Sequence, residues 1–335
     1  MGRIGNRPQR RITTGMVLSV LLLAACGSSN NTTGTATAPT SGASGISMQA
    51  SIAAEVPSAI KSSAPLQIAS DASYQPNEYV DPSTGEVKGW DIDLAKAVCK
   101  VWGVECKINN VTFADIIPAL LESPPKYVMA WSSYSPTTPR EAKGIDFVTY
   151  AKVGESWVEH VGGPTISQAS DLCGHTVAVE GGTTEESDAW GFMGQNPGGG
   201  AIAGDTDNCK TAGKADITVQ SFATQTQADA ALSSGRSDFG WLDASVSYYE
   251  VKIRAGKLQI GGQVCGIAPY GVALAHGGGL QQATQDAIKY LIDHGYYKQI
   301  LDSWNVATVG VPSSEVGLNV NSSTGTGTQA CVPKY

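Results

Sequence analysis

One arginine stands among a crowd of hydroxyl groups in the stretch "SSYSPTTPRE", Ser132 to Glu141, of a chain whose residues are only 16% charged. Thr138 fits a helix N-cap there, Pro139 the first helical position, and Glu141 the N3 partner of a capping box. Arg140 then sits in a first helical turn, beside free backbone N–H groups and the positive end of the helix dipole, where an anion is favoured. Its planar fork can hold a carboxylate at two points, in a bond roughly twice as strong as a neutral one. A second turn repeats the design. After "TVAVE" come Gly181 and Gly182, which permit close backbone approach, then Thr183 as N-cap and Glu186 as N3. A third follows "DFGWLD", where Asp243 ends an apolar run and opens "ASVSYYEVK". Its carboxylate can cap that helix or meet an ammonium group. Arginine, hydroxyls and aspartate at three such turns complement both charges of an α-amino acid.

Catalysis has less support. No Ser–His–Asp or Cys–His set is legible, and the four histidines (His160, His175, His276, His294) show no metal-ligand spacing. Asp71 and Glu180 offer a general acid and base as the enzymatic alternative.

The elements that must position these turns are short apolar runs alternating with helical patterns. "LQIAS", "YVMAW", "TVAVE", "DITVQSF" and "DFGWLD" read as strands. "DIDLAKAVCKVW" reads as a helix with Ile92, Ala95, Val98 and Cys99 on one face. "FADIIPALLES" opens a helix near Phe113, so that Pro118 falls in an early turn, and "LQQATQDAIKYLIDHGYYKQILDSW" gives helices broken at Gly295. Such alternation predicts α/β architecture with largely parallel sheets, whose ligands bind outside the carboxyl ends of the strands.

The chain has 335 residues, a formal charge of -8 and seven cysteines. Arg3, Arg7, Arg10 and Arg11 precede the apolar run "MVLSVLLLAAC", too short to span a bilayer comfortably and readable as a secretory signal. "LAAC" resembles a bacterial lipobox, with Cys26 as the lipidated first residue of the mature protein. Losing the signal brings the charge to about -12, an acidic balance that disfavours nucleic acid. Gly27 to about Ala54 carries no charge and reads as a flexible tether. Six cysteines remain, and six thiols in an exported chain imply disulfides with 15 possible pairings. Sequence proximity favours Cys99–Cys106 and Cys173–Cys209, leaving Cys265–Cys331.

Several stretches follow one family's order. "SDASYQPNEY" is similar to Asp-x-x-Tyr-x-Pro-Phe-Glu, "GWDIDLAKAV" to Gly-Phe-Asp-x-Asp-Leu, and "FADIIPAL", "SSYSPTTPRE…GIDFVTY", "VAVEGGTTEE" and "GRSDFGWLD" complete the set. From about Leu66 to Asn305 the chain resembles the polar amino-acid-binding proteins of bacterial ABC importers (extracellular solute-binding family 3, histidine- and glutamine-binding type), in lipoprotein form. Cys99 and Cys106 share the spacing of a disulfide in the histidine-binding branch. The resemblance implies a two-lobed α/β fold of the periplasmic-binding-protein (Venus flytrap) type, with two crossing hinge strands near "AKVGESWV" and "CGIAPYGVAL". Expected boundaries are a signal at 1–25, lipidated Cys and linker at 26–62, a discontinuous lobe 1 at 63–153 and 268–310, lobe 2 at 154–267, and a tail at 311–335. Arg140 would grip the ligand α-carboxylate, helped by Ser135 and Thr183. Ser133 and Asp243 would take the α-ammonium, Tyr74 and Phe113 would sandwich the side chain, and Asp71, Ser132 and Glu180 would meet its far end.

The implied partners are a free amino acid and the permease and ATPase subunits of an importer. No metal, cofactor or nucleic acid is expected, and the chain is expected as a monomer, lipid-anchored on the outer membrane face or periplasmic. Two buried acids at the far end favour a cationic ligand: arginine, lysine, ornithine or histidine. Glutamine or asparagine is the alternative, since Asp71 can accept from an amide. A dehydratase-like enzyme or a sensor input domain are the remaining readings of the same fold. Asn77 stands where the family usually has an aromatic, Trp90 where it has Phe, and Pro139 where a charged residue is common. The Cys265–Cys331 tail is an addition.

Overall fold

The computed structural model describes residues 45–320 and Cys331; the signal, Cys26 and most of the expected tether lie outside the described residues. Eight strands form one sheet around two long ones, Ile145–His160 and Leu258–Ala275, which pair antiparallel. On one side, Leu66–Ser70 pairs in parallel with Cys106–Asn110 and with Met129–Ala130, and Ala130 pairs with Ala273 of the second long strand. On the other side, Thr176–Glu180 lies parallel to Thr218–Phe222 and to Phe239–Asp243, which joins the first long strand at Glu155–Glu159. The ladder between the long strands is regular at both ends, Ile145–Thr149 with Gly271–Ala275 and Trp157–His160 with Leu258–Gly261. Its register slips three times between them, at Gly261/Cys265, Cys265/Ala268 and Tyr270/Gly271. Bulges of this kind bend and twist a strand pair, so the two ends face differently.

Each end carries its own core. Around Leu66, Ile68 and Met129 pack Leu94, Val98 and Trp102 of the helix Trp90–Trp102 with Ile288 and Leu291 of the helix Gln281–Asp293. Around Val177, Val179 and Phe239 pack Leu172, Phe192, Met193 and Trp241. Separate main cores are what make two lobes.

The helical patterns hold with local exceptions. Gly295 sits left-handed at φ 77° and divides the last two helices, as a residue without Cβ permits. The helix Phe113–Leu120 opens where expected, but Pro118 is its sixth residue and falls in the second turn, not an early one. The cap before Arg140 is Thr137 rather than Thr138, its hydroxyl accepting from the Arg140 N–H at 3.4 Å. Pro139 is thus the second helical residue, and Glu141 lies past the N3 position. Two adjacent threonines can each cap, and the one preceding by a residue wins here.

Cys99–Cys106, Cys173–Cys209 and Cys265–Cys331 are the observed bonds. Ahead of Cys331, the segment after Val309 lies along the first long strand. Gly317 O accepts from Thr149 N–H at 2.9 Å, Asn319 N–H donates to Phe147 O at 2.8 Å, and Asn319 Oδ1 accepts from Phe147 N–H at 2.7 Å. Lys152 pairs with Glu315 at 2.5 Å. A disulfide removes more unfolded-chain entropy when it closes a longer loop. The Cys173–Cys209 bond, closing 36 residues of separation against seven for Cys99–Cys106, should contribute about 4 kcal/mol against about 2.5 kcal/mol. Double Cys→Ala variants checked by chemical denaturation should show that order.

Candidate functional site

The three turns singled out by their residue types converge on one cleft, with about 230 Å³ of atom-free space partly open to solvent. Eight of the ten expected residues line it: Tyr74, Phe113, Ser132, Ser133, Ser135, Arg140, Thr183 and Asp243. Thr184 and Glu185 also line it and were not expected; Asp71 and Glu180 were expected and do not.

Arg140 anchors the cleft. Its guanidinium donates from Nη1 to Ser135 O at 2.7 Å and from Nη2 to Gly182 O at 2.9 Å. The second bond crosses from one lobe to the other. The guanidinium carbon stands 5.4 Å from the Phe113 ring and 5.0 Å from the Tyr134 ring, which stack on each other at 4.3 Å. Two of five N–H donors are used, so three remain for an anion. Burial lowers its pKa, while Tyr134 and Glu185 nearby act in the opposite sense. Among the described residues it is the only buried lysine or arginine.

Ser132 and Ser133 are held by the opposite wall. Ser132 Oγ accepts from Asp71 N–H at 2.9 Å. Ser133 has φ 50°, a left-handed value that a non-glycine residue adopts at a cost. Its hydroxyl accepts from Asn77 Nδ2 at 3.1 Å and donates to Glu78 Oε2 at 3.2 Å. Asn77 Oδ1 in turn accepts from Trp90 Nε1 at 2.8 Å. The two departures from the family pattern therefore meet: the amide and the indole are a bonded pair behind Ser133. Gly89 allows this approach, since at φ 140° a Cβ there would fall 1.8 Å from Asn77 O.

Thr183 caps the helix Thr184–Gly191, its Oγ1 accepting from Glu186 N–H at 3.2 Å and donating to Glu180 O at 2.7 Å. Glu186 reaches back to Gly182 N–H at 2.7 Å rather than to the cap residue itself, and also bonds Ser221. Gly182 is left-handed at φ 86° and faces Phe113 and Ala114 across the cleft. Asp243 opens the helix Ala244–Ile253 but makes no side-chain cap bond. Its carboxyl faces the cleft instead, and burial, then Glu185, raises its pKa strongly.

Asp71 and Glu180 lie behind the lining, each 1% exposed. Asp71 Oδ2 accepts from Phe113 N–H at 2.7 Å. Ser73 lies near Asp71 and the Tyr74 hydroxyl near Glu180, but neither the other Asp71 oxygen nor either Glu180 oxygen accepts a full hydrogen bond. The two carboxyl groups touch, so one proton shared between them makes the bond; burial raises both, Asp71 adds to the rise of Glu180, and the contact with Glu180 acts to lower Asp71. Tyr74 contacts Glu180 and packs with Val158, Leu242 and Leu258 of the opposite lobe. Glu78 and Asp91, both 0% exposed, add a further acid pair in which burial pushes Asp91 up to about 7. The region is thus rich in carboxyl groups with a single guanidinium. It can hold a carboxylate at Arg140 and cations elsewhere.

Among the described residues, no group of three or more His, Cys, Asp or Glu is placed to hold a metal ion, and no helix is long and apolar enough to cross a membrane.

The chain matches the bacterial extracellular solute-binding proteins, family 3, over residues 66–307. It is 27% identical over 255 residues to the arginine-binding protein ArgT of Corynebacterium glutamicum, covering 76% of this chain and 79% of that one. Among solved structures, an ancestral arginine-binding protein bound to arginine aligns with a TM-score of 0.61 at 29% identity, over 71% of this chain and 97% of the other. The ancestral arginine-binding protein bound to glutamine aligns at 0.60 and 28%, over 72% and 97%.

Proposed function

The chain belongs to the bacterial extracellular solute-binding proteins of family 3, and from that membership we propose that it captures a basic amino acid outside the cell for an ABC importer. It is a binding protein, not an enzyme, as are the relatives it resembles. The observation that carries the ligand class is the charge of the cleft. Arg140 with three free donors suits an α-carboxylate, and Asp243 suits an α-ammonium. Asp71 and Glu180 then leave two buried carboxyl groups whose natural partner is a second cation. Arginine is the best fit, because one guanidinium can serve two carboxyl groups at once. Reaching them requires the Ser132 and Tyr74 walls to part slightly, since the acids lie behind the lining.

The lobe limits at 63–153 with 268–310 and at 154–267 are proposed on the register slips between the long strands. Ligand contacts from both lobes would favour the closed arrangement, and the importer subunits would read that arrangement. Export by the signal at 1–25, lipidation of Cys26 and the monomeric state rest on the sequence pattern alone; the expected tether does not extend to 62, because Ala50–Glu55 and Ser58–Lys61 are helices and Val56 is buried in the first core. Glutamine or asparagine is the second reading, favoured by the singly protonated Asp71–Glu180 pair, which can donate to and accept from an amide.

A thermal-shift screen of the stripped protein against arginine, lysine, ornithine, histidine and glutamine tests this. A basic amino acid at a thousandfold excess over its Kd should stabilise by about 4 kcal/mol. A shift with glutamine alone would replace the first reading by the second. pH adds a second check. Asp71 and Glu180 hold their protons more tightly folded than unfolded, so the ligand-free protein loses stability as pH rises through their raised range. Arginine needs them ionised, so its Kd should tighten as the pH rises through the same raised range. A flat profile by calorimetry would rule out these acids as its partners.

A further inference from the structure

Of the two acids that line the cleft, Glu185 is the one that the amino-acid reading does not use. It stands in the first turn of the helix Thr184–Gly191, lines the cleft, and is 2% exposed. One oxygen accepts from Thr184 Oγ1 at 3.2 Å, and the other, Oε1, makes no full hydrogen bond, with Thr183 nearby. Its carboxyl group touches that of Asp243, itself 7% exposed. Other elements face this pair with Arg140, Glu155, Tyr74 and Tyr270, Glu78 lies further off, and Asp188 shares the Glu185 helix. Arg140 is the single cation of that set, and Ser135 O and Gly182 O already take two of its donors. An α-amino acid brings one ammonium to this end of the cleft, so one of the two carboxyl groups exceeds what a bound zwitterion neutralises.

We propose that Glu185 and Asp243 hold one proton between them and release it when the ligand's ammonium group enters, so that Glu185 couples capture to pH. The inference rests on the amino-acid reading of the cleft. The step is an acid–base exchange: the O–H bond of the shared proton breaks, the proton leaves to solvent, and ammonium N–H groups donate to both carboxylates in its place. Two carboxylates this close with a proton between them have a titration that belongs to the pair. Burial raises both groups.

Arginine titrated into the intact protein by calorimetry, in two buffers of different ionisation enthalpy at one pH near neutrality, counts protons released per ligand. Glu185→Gln should release about one proton fewer than wild type, because the amide replaces a like charge with an N–H donor to the Asp243 carboxylate and so favours its ionised form before the ligand arrives. Its Kd should also vary less with pH. Asp243→Asn should remove the same proton, which guards against a folding defect in either variant alone. Equal proton counts in wild type and both variants would overturn the proposal. If wild type binds glutamine and not arginine, the basic-ligand reading fails, and the same count made with glutamine still decides the role of Glu185.

Discussion

Arg140→Ala should weaken amino-acid binding by roughly 3–5 kcal/mol, a hundredfold to several thousandfold in Kd. The removed group is the only buried lysine or arginine among the described residues, and the ligand carboxylate would be left desolvated without a partner. A second consequence accompanies it. The bond from Nη2 to Gly182 O joins the lobes directly, so the variant also loses one link across the cleft. Arg140→Lys separates the two roles. A lysine restores the charge but not the fork, so it should recover part of the affinity and leave a deficit of about tenfold or more. Calorimetric titration with arginine decides the matter, with circular dichroism as the control for folding. Near-wild-type affinity in Arg140→Ala would mean that the residue serves the fold and that the carboxylate is held elsewhere.

Asp243→Asn should move stability and binding in opposite directions. Its carboxyl is buried at a helix start without serving as the cap, and its pKa is raised strongly by burial and by Glu185. A group whose proton is held more tightly in the folded state costs stability once the pH rises above its unfolded value. An amide carries no such cost, so the ligand-free variant should melt higher than wild type at neutral pH. Affinity for an α-amino acid should fall by about 2–3 kcal/mol, or some 30- to 150-fold, because the ammonium loses its counter-charge. A buried group kept at the expense of stability is a common mark of a binding site. A variant that is both less stable and fully able to bind would assign Asp243 to the fold instead.

The sequence made these residues legible because strand ends and helix starts leave a strong local signature. Ser132 to Arg140, Gly181 to Thr183, and Asp243 each stand where an apolar run gives way to capping chemistry. Glu185 was missed for the same reason: in "TTEE" it reads as one more acid in a first helical turn, favoured there by the dipole alone. Nothing local distinguishes it from Glu186, which the structure uses for Gly182 N–H and Ser221. Asp91 stands likewise among the acids of a first helical turn, yet it is fully buried beside Glu78. Burial comes from the hairpin strands around Tyr74 and Glu78 folding over the helix start, a tertiary fact with no periodicity. The order of Thr137 and Thr138 at the cap was also beyond reach, since either residue fits the same rule. Asn77 and Trp90 looked like two independent departures from the family pattern, and only their 2.8 Å contact makes them one.

The segment ending at Asn319 has a bearing on how this chain keeps to itself. The first long strand is paired on one side throughout, but its other side meets Phe239–Asp243 only from Glu155 onward. Phe147 to Thr149 would otherwise show bare N–H and C=O groups, the kind of rim on which a foreign strand can grow. Gly317 and Asn319 occupy those groups, and the side-chain amide of Asn319 imitates one backbone bond and then turns to Asp146, at 2.9 Å, so that the ladder goes no further. A sealed rim lets exported copies crowd without stitching together into fibres.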